Sequence, residues 1–329
     1  MAVIEPSAES APPGTPRPSA LVLRALGLGD LLTAVPALRG LRRALPGHRL
    51  VLATPDALAP VALLSGAVDA TTDARGLDGP LAWDGPPPAV AVNLHGSGPQ
   101  SHQLLASLRP GRLLAFANTA AGVEGPAWEP AEHERVRWCR LVASQLEPCE
   151  PDDLVLARPD AGSPAPGAVV VHPGAAYASR RWPVERFAEV AATLRAAGHR
   201  IVVTGSAGER GLAERLAAGA GLPADDVLAG STSLLELAAL VADAALVVSG
   251  DTGIAHLAFA YERPSVTVFG PAPPARWGPP PPGRHVVVWH GDPDDPWREG
   301  DVFGASPVPE LLDVAVPEVL DAAKRALRA

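Results

Sequence analysis

Short apolar runs alternate with longer amphipathic segments along most of the chain. Runs such as LVLRAL, RLVLAT and AVAVNL are rich in branched residues and favour buried strands. Residues 30–45 and 132–146 instead carry apolar side chains at helical spacing. From residue 168 the same alternation begins again with AVVVH, VERFAEVAATLRAAG and RIVVTG. Alternating strands and helices are typical of doubly wound parallel sheets, so the pattern predicts an α/β protein with two such sheets.

Shifts in composition divide this series into segments. Residues 1–18 hold five prolines and no apolar periodicity, which is typical of a disordered tail. Residues 157–167, ARPDAGSPAPG, are rich in proline and glycine and predict a linker. A terminal helix follows the second domain, and Pro317 is expected to interrupt it. The expected order is tail, Rossmann-like domain, linker, Rossmann-like domain and terminal helix, with the bounds 1–18, 19–156, 157–167, 168–307 and 308–329.

Charge and cysteine content narrow the class of protein. The 329 residues include 27 basic and 36 acidic side chains, a net charge of −9, whereas a nucleic-acid partner favours a positive excess. Cys139 and Cys149 form no CxxC pattern, which argues against a disulfide framework and a thiolate metal site. No signal-peptide pattern is present, and no apolar run reaches the roughly 20 residues of a membrane span. We expect a cytoplasmic protein with at most peripheral membrane contact.

The first candidate site lies in LVLRALGLGDLLTAVPAL, residues 21–38, where a strand runs through Gly27 and Gly29 into a helix. Glycines at such a turn let a ligand approach the backbone, and a helix N-terminus favours negative charge. Leu32 stands where a dinucleotide fingerprint has its third glycine, which disfavours a nicotinamide enzyme. Asp30 fits two interpretations: it caps the helix, or it is a general base that accepts a proton from an attacking hydroxyl.

A second loop between a strand and a helix occurs in VVVHPGAAYASRRWPVERFAEV, residues 169–190. Gly174 and Ala175 leave room for a phosphate beside main-chain N–H groups. Arg180 and Arg181 have the charge to neutralise such a phosphate. The alternative is a solvated basic pair just before a helix, with an aromatic staple and a proline in the first turn.

A third loop of this kind follows the buried strand ALVVSG and begins a helix at SGDTGIAH. Free N–H groups and the helix dipole favour an anion or a sugar hydroxyl there, and Thr252 and His256 lie one turn apart on a common face. Alternatively, Asp251 only caps the helix and His256 only packs. Three such loops in one chain favour a phosphate-containing ligand.

Other acidic residues give weaker signals. Glu209 follows the strand RIVVTG, at the place where doubly wound folds often bond a ribose hydroxyl, although an exposed first-turn acid is the alternative. Asp292, Asp294 and Asp295 are typical of a solvated loop rather than a cation site. The chain has no GxSxG elbow, which disfavours covalent hydrolase chemistry.

Three blocks taken together resemble glycosyltransferase family 9, the heptosyltransferases that act on ADP-heptose: LRALGLGDLLTAVPALRGLRRALPGHRL, VVHPGAAYASRRWPVERFAEVAATL and VVSGDTGIAHLAFAYERPSVTVFGP. The resemblance covers nearly the whole chain from about residue 20, in matching order. It implies a GT-B fold, in which two Rossmann-like domains face each other across a cleft. The first domain would bind the acceptor and the second the nucleotide sugar. The resemblance also implies inversion at the anomeric carbon with no metal or other cofactor.

The resemblance assigns roles to particular residues. Asp30 matches the family's general base, and Arg180 matches a cationic position that contacts the donor phosphates. Other donor-binding positions that it implies are Gly29, Gly174, Ala175, Arg181, Glu209, Ser231, Thr232, Asp251, Thr252, Gly253 and His256. On the acceptor side, Asn93 stands where relatives often have Asp, and we expect contacts from Asn93 and His95.

Basic residues at the end of the first helix are a further candidate for the acceptor. Arg42 and Arg43 belong to a cluster that fits an anionic acceptor. They equally fit the last turn of a helix, where the dipole favours cations. Segments 71–88 and 95–111 are expected to be loops that set the acceptor, and their composition carries no recognisable code.

The sequence therefore predicts a glycosyltransferase that uses a nucleoside-diphosphate sugar. By the resemblance, the sugar is heptose and the nucleotide is ADP, with GDP and UDP as alternative nucleotides. The acceptor is a hydroxyl of a glycan, a glycolipid or a small glycoside. One alternative is a GT-B-like sugar-nucleotide epimerase, which needs no acceptor. The other is a non-catalytic nucleotide-sugar-binding protein in which Asp30 is only a cap.

Overall fold

The computed structural model describes residues 17–281 and 283–328. Most of the expected tail, residues 1–16, lies outside the described residues, as do Pro282 and Ala329. The described chain forms two five-stranded parallel sheets, one in each half, with helices between successive strands. The alternating apolar pattern predicts this arrangement.

In the first half, the described strands and helices are β1 (Ser19–Leu23), α1 (Leu28–Ala44), β2 (Arg49–Thr54), α2 (Ala59–Leu64), β3 (Ala70–Asp73), β4 (Val90–Asn93), α3 (Gln100–Ala106), β5 (Arg112–Leu114) and α4 (Glu134–Ala143). The strands pair in parallel in the order β3-β2-β1-β4-β5. In this Rossmann-type order, the winding reverses between β1 and β4. Ligands of such sheets bind at the carboxyl ends of the strands beside the reversal, where β1 leads directly into α1.

In the second half, the described strands and helices are β6 (Val169–His172), α5 (Val184–Ala196), β7 (Ile201–Val203), α6 (Arg210–Ala220), α7 (Leu234–Ala242), β8 (Leu246–Gly250), α8 (Gly253–Ala260), β9 (Ser265–Val268), α9 (Pro274–Trp277), β10 (His285–Val288), α10 (Pro309–Asp313) and α11 (Val316–Arg328). The parallel order is β10-β9-β8-β6-β7, which is the flavodoxin-like variant of the doubly wound sheet. Its winding reverses between β6 and β8.

The two halves pack on each other through helices. Helix α1 lies against α8, and α2 lies against α7, so that one apolar cluster runs from the first half into the second and includes Leu38 and Leu257. Two polar contacts tie the connecting segment to the second half: the Leu156 N–H donates to the Ala260 carbonyl at 3.1 Å, and the Tyr261 hydroxyl donates to the Ala157 carbonyl at 3.2 Å. This packing fixes one side of the space between the sheets.

The structure differs from the sequence prediction in the expected loops. Strand β3 begins at residue 70 and runs into the segment 71–88, and helix α3 lies inside 95–111. Sequence reasoning missed β3 because this half-exposed edge strand, ATTD, has no apolar run. It missed α3 because the helix begins with the polar residues QSHQ. The segment 157–167 holds no helix or strand, while the exact domain bounds stay a prediction.

The C-terminal segment also differs from expectation. Instead of one helix over 308–329, the described residues form α10 and α11, which are separated at residues 314–315. Pro317 lies in the first turn of α11 and does not interrupt it, because a first-turn residue needs no N–H donor within the helix. Helix α11 packs against α5, β9 and β10, so it belongs to the core of the second half.

Candidate active site

A cleft of about 630 Å³ opens between the carboxyl ends of the two sheets. The first half lines it with the turn between β1 and α1, residues 26–30. The second half lines it from three elements: the loop after β6, the start of α8, and the segment around α9 and residues 299–303. The residues contributed by the second half are Ala176, Tyr177, Arg180, Thr252, Gly253, Ile254, His256, Ala272, Trp277, Glu299, Val302 and Phe303.

Two helix N-termini meet at the floor of this cleft. A Cβ atom added at Gly29, in the first turn of α1, would lie 2.9 Å from His256 Cδ2. A Cβ added at Gly253, the first residue of α8, would lie 2.9 Å from Leu28 Cβ. Each glycine therefore permits the close approach of the other half. Because both helices point their positive dipole ends here, the floor favours an anionic ligand.

Asp30 presents its carboxylate to the cleft from the first turn of α1. Its Oδ2 accepts a hydrogen bond from the Gly27 N–H at 3.2 Å, and the side chain remains 30% exposed. The two interpretations of Asp30 are compatible, since the carboxylate satisfies a first-turn donor and still faces the cleft.

Arg24 holds Asp30 from behind. Its guanidinium is 1% exposed, donates to the Asp30 carbonyl at 2.9 Å and approaches Asp30 Oδ1 at 3.4 Å. It also donates to Thr33 Oγ1 at 3.2 Å and to the Leu94 carbonyl. Burial lowers the pKa of Arg24 to about 10, an effect that the charge of Asp30 opposes, so Arg24 is a cation at neutral pH. Sequence reasoning missed this residue because it lies within an apolar strand-like run.

A second acid, which is buried, completes the support of Arg24. Glu134, at the start of α4, lies 3.6 Å from the Arg24 guanidinium and accepts a hydrogen bond from Trp138 Nε1 at 2.9 Å. Glu134 also pairs with Arg137. The Arg24 guanidinium stacks 4.7 Å above the Trp138 ring. No local sequence signal links residues 24 and 134, which are brought together by the packing of α1 against α4.

Arg180 and Asp251 form the corresponding pair in the second half. Arg180 Nη2 donates to Asp251 Oδ2 at 2.8 Å, and here the acid is buried and the cation is 26% exposed to the cleft. Burial raises the pKa of Asp251, and the charge of Arg180 partly offsets this. The charge of Asp30 also acts to raise the pKa of Asp251.

His256 lies beside this pair, with its Nε2 3.9 Å from Asp251 Oδ1. Burial, together with the charges of Arg135 and Arg180, lowers the pKa of His256 to about 3. The imidazole is therefore neutral at neutral pH. It forms an edge-to-face contact with Trp277, at a centroid distance of 6.2 Å.

A third group of predicted residues lies at the carboxyl ends of β6 and β7. The Glu209 carboxylate stands over Gly174, where an added Cβ would lie 2.2 Å from Glu209 Oε1. Burial acts to raise the pKa of Glu209, but hydrogen bonds from the Ser206 N–H and hydroxyl, both at 2.8 Å, outweigh it and lower the pKa. Arg210 links this group to Ser231 Oγ at 3.3 Å. Glu209, Gly174, Ser231 and the neighbouring Thr232 do not line the cleft itself.

Arg181 does not face the cleft. Its Nε and Nη2 donate to the Ala175 carbonyl at 2.9 and 2.7 Å, so it braces the loop that carries Gly174. Ala175, in the same loop, is buried. Of the predicted basic pair, Arg180 alone lines the cleft.

The expected acceptor residues are not at the cleft. Asn93 is fully buried; its amide donates to Ser101 Oγ at 2.8 Å, and its Oδ1 accepts from the His95 N–H at 2.9 Å. His95 Nδ1 in turn accepts from the Ala25 N–H at 3.2 Å. These contacts shape the edge of the first sheet and leave no free polar atom of Asn93 for a ligand.

Arg42 and Arg43 also lie away from the cleft. Arg42 pairs with Asp69 and donates to the Ala67 carbonyl at 2.9 Å, and Arg43 pairs with Asp153 at 3.0 Å. They occupy the last turn of α1, about 18 Å along the helix from Asp30. The structure therefore agrees with the alternative interpretation, in which these arginines complement the helix C-terminus and nearby acids.

Two aromatic side chains at the cleft mouth were not predicted. Phe303, 70% exposed, and Tyr177, 42% exposed, pack edge to face with ring centroids 5.0 Å apart. The Ser179 N–H donates to the Gly304 carbonyl at 3.1 Å, which ties the Phe303 segment to the turn that carries Arg180. Lone aromatic residues in loops of low periodicity give no sequence signal.

Over residues 17–281 and 283–328, no three His, Cys, Asp or Glu side chains cluster in the manner of a metal site. None of the helices described is long and apolar enough to span a bilayer.

Two doubly wound sheets that enclose a cleft, lined by Asp30 from one half and Arg180 from the other, define the GT-B class of fold. Residues 149–298 match the sequence model of glycosyltransferase family 9 (heptosyltransferase). The solved structure of E. coli ADP-heptose lps heptosyltransferase II superposes with a TM-score of 0.72 at 18% identity, covering 94% of this chain and 98% of that one.

Sequence relatives agree with the family match. Lipopolysaccharide heptosyltransferase 1 of Salmonella typhimurium is 27% identical over 289 residues, 78% of this chain and 90% of the relative. Lipooligosaccharide heptosyltransferase 2 of Haemophilus influenzae is 33% identical over 108 residues, and this match spans 31% of each chain. The chain is therefore similar to the heptosyltransferases of glycosyltransferase family 9. The predicted resemblance to this family, the fold class and the enzyme class are confirmed.

Proposed function

We propose that the chain transfers heptose from ADP-heptose to a hydroxyl of a lipopolysaccharide-type glycan, with inversion at the anomeric carbon and without a metal ion. The names of its relatives supply the sugar, the nucleotide and the acceptor class. One observation carries the proposal: the carboxylate of Asp30 shares a cleft with Arg180 and the N-terminus of α8. The reaction would take place in the cytoplasm, at the membrane surface when the acceptor is a glycolipid.

Asp30 acts as the general base. It accepts the proton of the acceptor hydroxyl while that oxygen attacks the anomeric carbon. The attack comes from the first half and the diphosphate is held by the second half, so the new bond forms on the face opposite the bond that breaks. This geometry inverts the anomeric centre. Arg24 orients the Asp30 carboxylate through its hydrogen bonds and ion pair.

The second half stabilises the departing nucleoside diphosphate. Arg180 is held in place by the buried Asp251 and directs its remaining N–H donors to the diphosphate. The N-terminal N–H groups of α8 at Gly253 add positive potential. His256 remains a neutral imidazole and serves as a hydrogen-bond partner of the sugar. These groups supply the charge that a metal provides in other transferases.

The nucleoside extends from Arg180 towards Glu209. That carboxylate accepts hydrogen bonds from the ribose hydroxyls, beside Gly174, Ser231 and Thr232. The acceptor enters from the opposite side, past Tyr177 and Phe303, whose exposed rings suit the apolar face of a sugar. Closing of the two halves around both substrates excludes water and favours transfer over hydrolysis.

The test is the Asp30→Asn variant, assayed by mass spectrometry for heptose transfer from ADP-heptose to heptose-deficient lipopolysaccharide. We expect the rate to fall by about 10²- to 10⁴-fold, the usual contribution of a general base. The dissociation constant for ADP, measured by calorimetry, should not change. Asp56→Asn, at an exposed acid away from the cleft, is the matched control and should transfer at the wild-type rate.

Three outcomes would contradict the proposal. If the Asp30→Asn variant transferred heptose at the wild-type rate, Asp30 would only cap helix α1 and would not be the base. Conversion of ADP-heptose to another sugar nucleotide without any acceptor would indicate an epimerase. Loss of transfer in the presence of EDTA, restored by a divalent cation, would contradict the metal-independent mechanism.

A further inference from the structure

The fold brings the two cysteines of this 329-residue chain together. Cys139 lies in α4 and is buried, and Cys149 follows six residues after that helix ends and is half-buried. A Cβ added at Gly40 of α1 would meet both Cys149 Sγ, at 2.1 Å, and Val142 Cγ1 of α4, at 3.6 Å. Val142 lies one helical turn from Cys139, so the packing of α1 on α4 places Cys149 beside the turn of α4 that carries Cys139.

Packing against α1 fixes the position of Cys149. Its Sγ fills the space above Gly40, where an added Cβ would lie 2.1 Å from the sulfur. The segment that follows is fastened to α1 because Arg39 and Arg43 both bind Asp153. The Cys149 thiol is therefore held between α1 and α4 rather than on a free loop.

The two thiols differ in chemical character. Interaction with Cys139 lowers the pKa of Cys149, burial opposes this, and the charge of Arg43 lowers it further. The same interaction and burial raise the pKa of Cys139. Cys149 is also the more exposed of the two. Cys149 is therefore the thiol that ionises more readily and reacts first with a reagent, whereas Cys139 is the less accessible thiol.

We propose that Cys139 and Cys149 form a reversible intramolecular disulfide when the protein meets a low-molecular-weight disulfide. The Cys149 thiolate attacks one sulfur of the reagent RS–SR, whose S–S bond breaks, and one RS⁻ leaves. The Cys139 sulfur then attacks Cys149 Sγ and releases the second RS⁻. The two protons of the cysteines end on the two RSH products, and two electrons pass from the cysteines to the reagent.

This bond would tie the end of α4 to the segment that leads into the second half. It would lie about 15 Å along α1 from Asp30, at Gly40, so it does not involve the cleft. Because it closes a loop in the unfolded chain, the disulfide should raise the midpoint of thermal unfolding. The inference is independent of the sugar transferred.

The experiment incubates the full chain with glutathione disulfide, blocks the remaining thiols with iodoacetamide under denaturing conditions, and measures the mass. We expect a product about 2 Da lighter than the reduced chain, with no alkylated cysteine. After trypsin, residues 138–140 should be joined to the peptide that begins at Leu141 and contains Cys149. The midpoint of thermal unfolding should rise by several degrees and return on reduction with dithiothreitol.

Two single variants complete the test. Cys149→Ser should leave Cys139 unmodified by glutathione, because the buried thiol is not reached. Cys139→Ser should retain glutathione on Cys149 as a stable mixed disulfide. The proposal is overturned if the wild-type chain keeps two free thiols, stays glutathionylated at Cys149 with Cys139 free, or forms disulfide-linked dimers. If Cys139→Ser does not fold, the wild-type mass and the Cys149→Ser result decide the question.

Discussion

Each half of the molecule places one arginine–aspartate pair at the cleft, and the two pairs are buried in opposite senses. In the first half, Asp30 is 30% exposed and Arg24 behind it is 1% exposed. In the second half, Arg180 is 26% exposed and Asp251 behind it is 5% exposed. In the proposed mechanism, the exposed partner of each pair meets substrate and the buried partner orients it. One half would then present a base, and the other a cation for the anionic leaving group.

Of the two arginines, the exposed one should have the larger effect on activity when it is removed. Arg180→Met removes charge from the leaving diphosphate, and we expect kcat/KM for the donor to fall by about 10²- to 10³-fold. The dissociation constant for ADP should rise as well. Arg181→Met, which removes only a brace on the Ala175 carbonyl, is the matched control and should lose far less activity. Equal losses in the two variants would contradict the role of Arg180.

Removal of the buried cation should act through position and stability. Arg24→Met removes one buried partner of Glu134, which keeps Arg137 and Trp138, so we expect the free energy of unfolding to fall by about 1 to 3 kcal/mol in urea titrations. Because Arg24 no longer orients the Asp30 carboxylate, kcat should fall by up to about 100-fold, with the donor KM unchanged. Arg24→Lys should restore part of kcat. A stable Arg24→Met protein with wild-type kcat would show that the orientation of Asp30 does not depend on Arg24.

The ends of α1 offer a second contrast, between Asp30 and Arg42. Because Arg42 is engaged by Asp69 and the Ala67 carbonyl, we expect Arg42→Met to leave the acceptor KM unchanged.

Phe303→Ala should raise the acceptor KM roughly twofold to twelvefold, for a lost aromatic contact of about 0.5 to 1.5 kcal/mol. Leu312→Ala, at an exposed apolar residue outside the cleft, is the control. If Arg42→Met raised the acceptor KM and Phe303→Ala did not, the acceptor would bind at the arginines instead of at the cleft.

The smallest expected effect is a dependence of stability on pH beside Asp251. Burial lowers the pKa of His256 from 6.5 to about 3. The unfolded chain binds a proton in this range that the folded chain does not, so stability is full above about pH 6.5 and falls as the pH drops. In the His256→Asn variant, the midpoint of thermal unfolding should change less between pH 6.5 and pH 4 than in the wild type. The change that remains would come from His133 and His285, whose pKa values are also lowered. Identical slopes in the two proteins would contradict this.

The sequence predicted the residues that follow strand ends and missed those that packing brings together. Asp30, Arg180 and Asp251 stand in short motifs next to β1, β6 and β8, so their place at the cleft follows from the topology of a doubly wound sheet. Arg24 and Glu134 meet only because α4 packs on α1, which no local pattern encodes.

The acceptor side shows the same limit. Asn93 is the last residue of a strand that the sequence pattern predicts, yet its amide group is already hydrogen-bonded to Ser101 and to the backbone of His95. Phe303 lies in a proline- and glycine-rich region without periodicity, and only a tertiary contact, from the Ser179 N–H to the Gly304 carbonyl, ties its segment to the cleft. Chain direction reveals which edge of a sheet binds ligand, but side-chain orientation within loops requires the folded contacts.

The most direct test of the account is a crystal structure with a non-hydrolysable analogue of ADP-heptose. We expect the diphosphate to lie against Arg180 and the N-terminus of α8, with the anomeric carbon between them and Asp30, and with room for one acceptor hydroxyl between that carbon and the carboxylate. An anomeric carbon turned away from Asp30, or a diphosphate bound outside the cleft, would contradict the central claim that the two halves divide base and leaving-group chemistry between them.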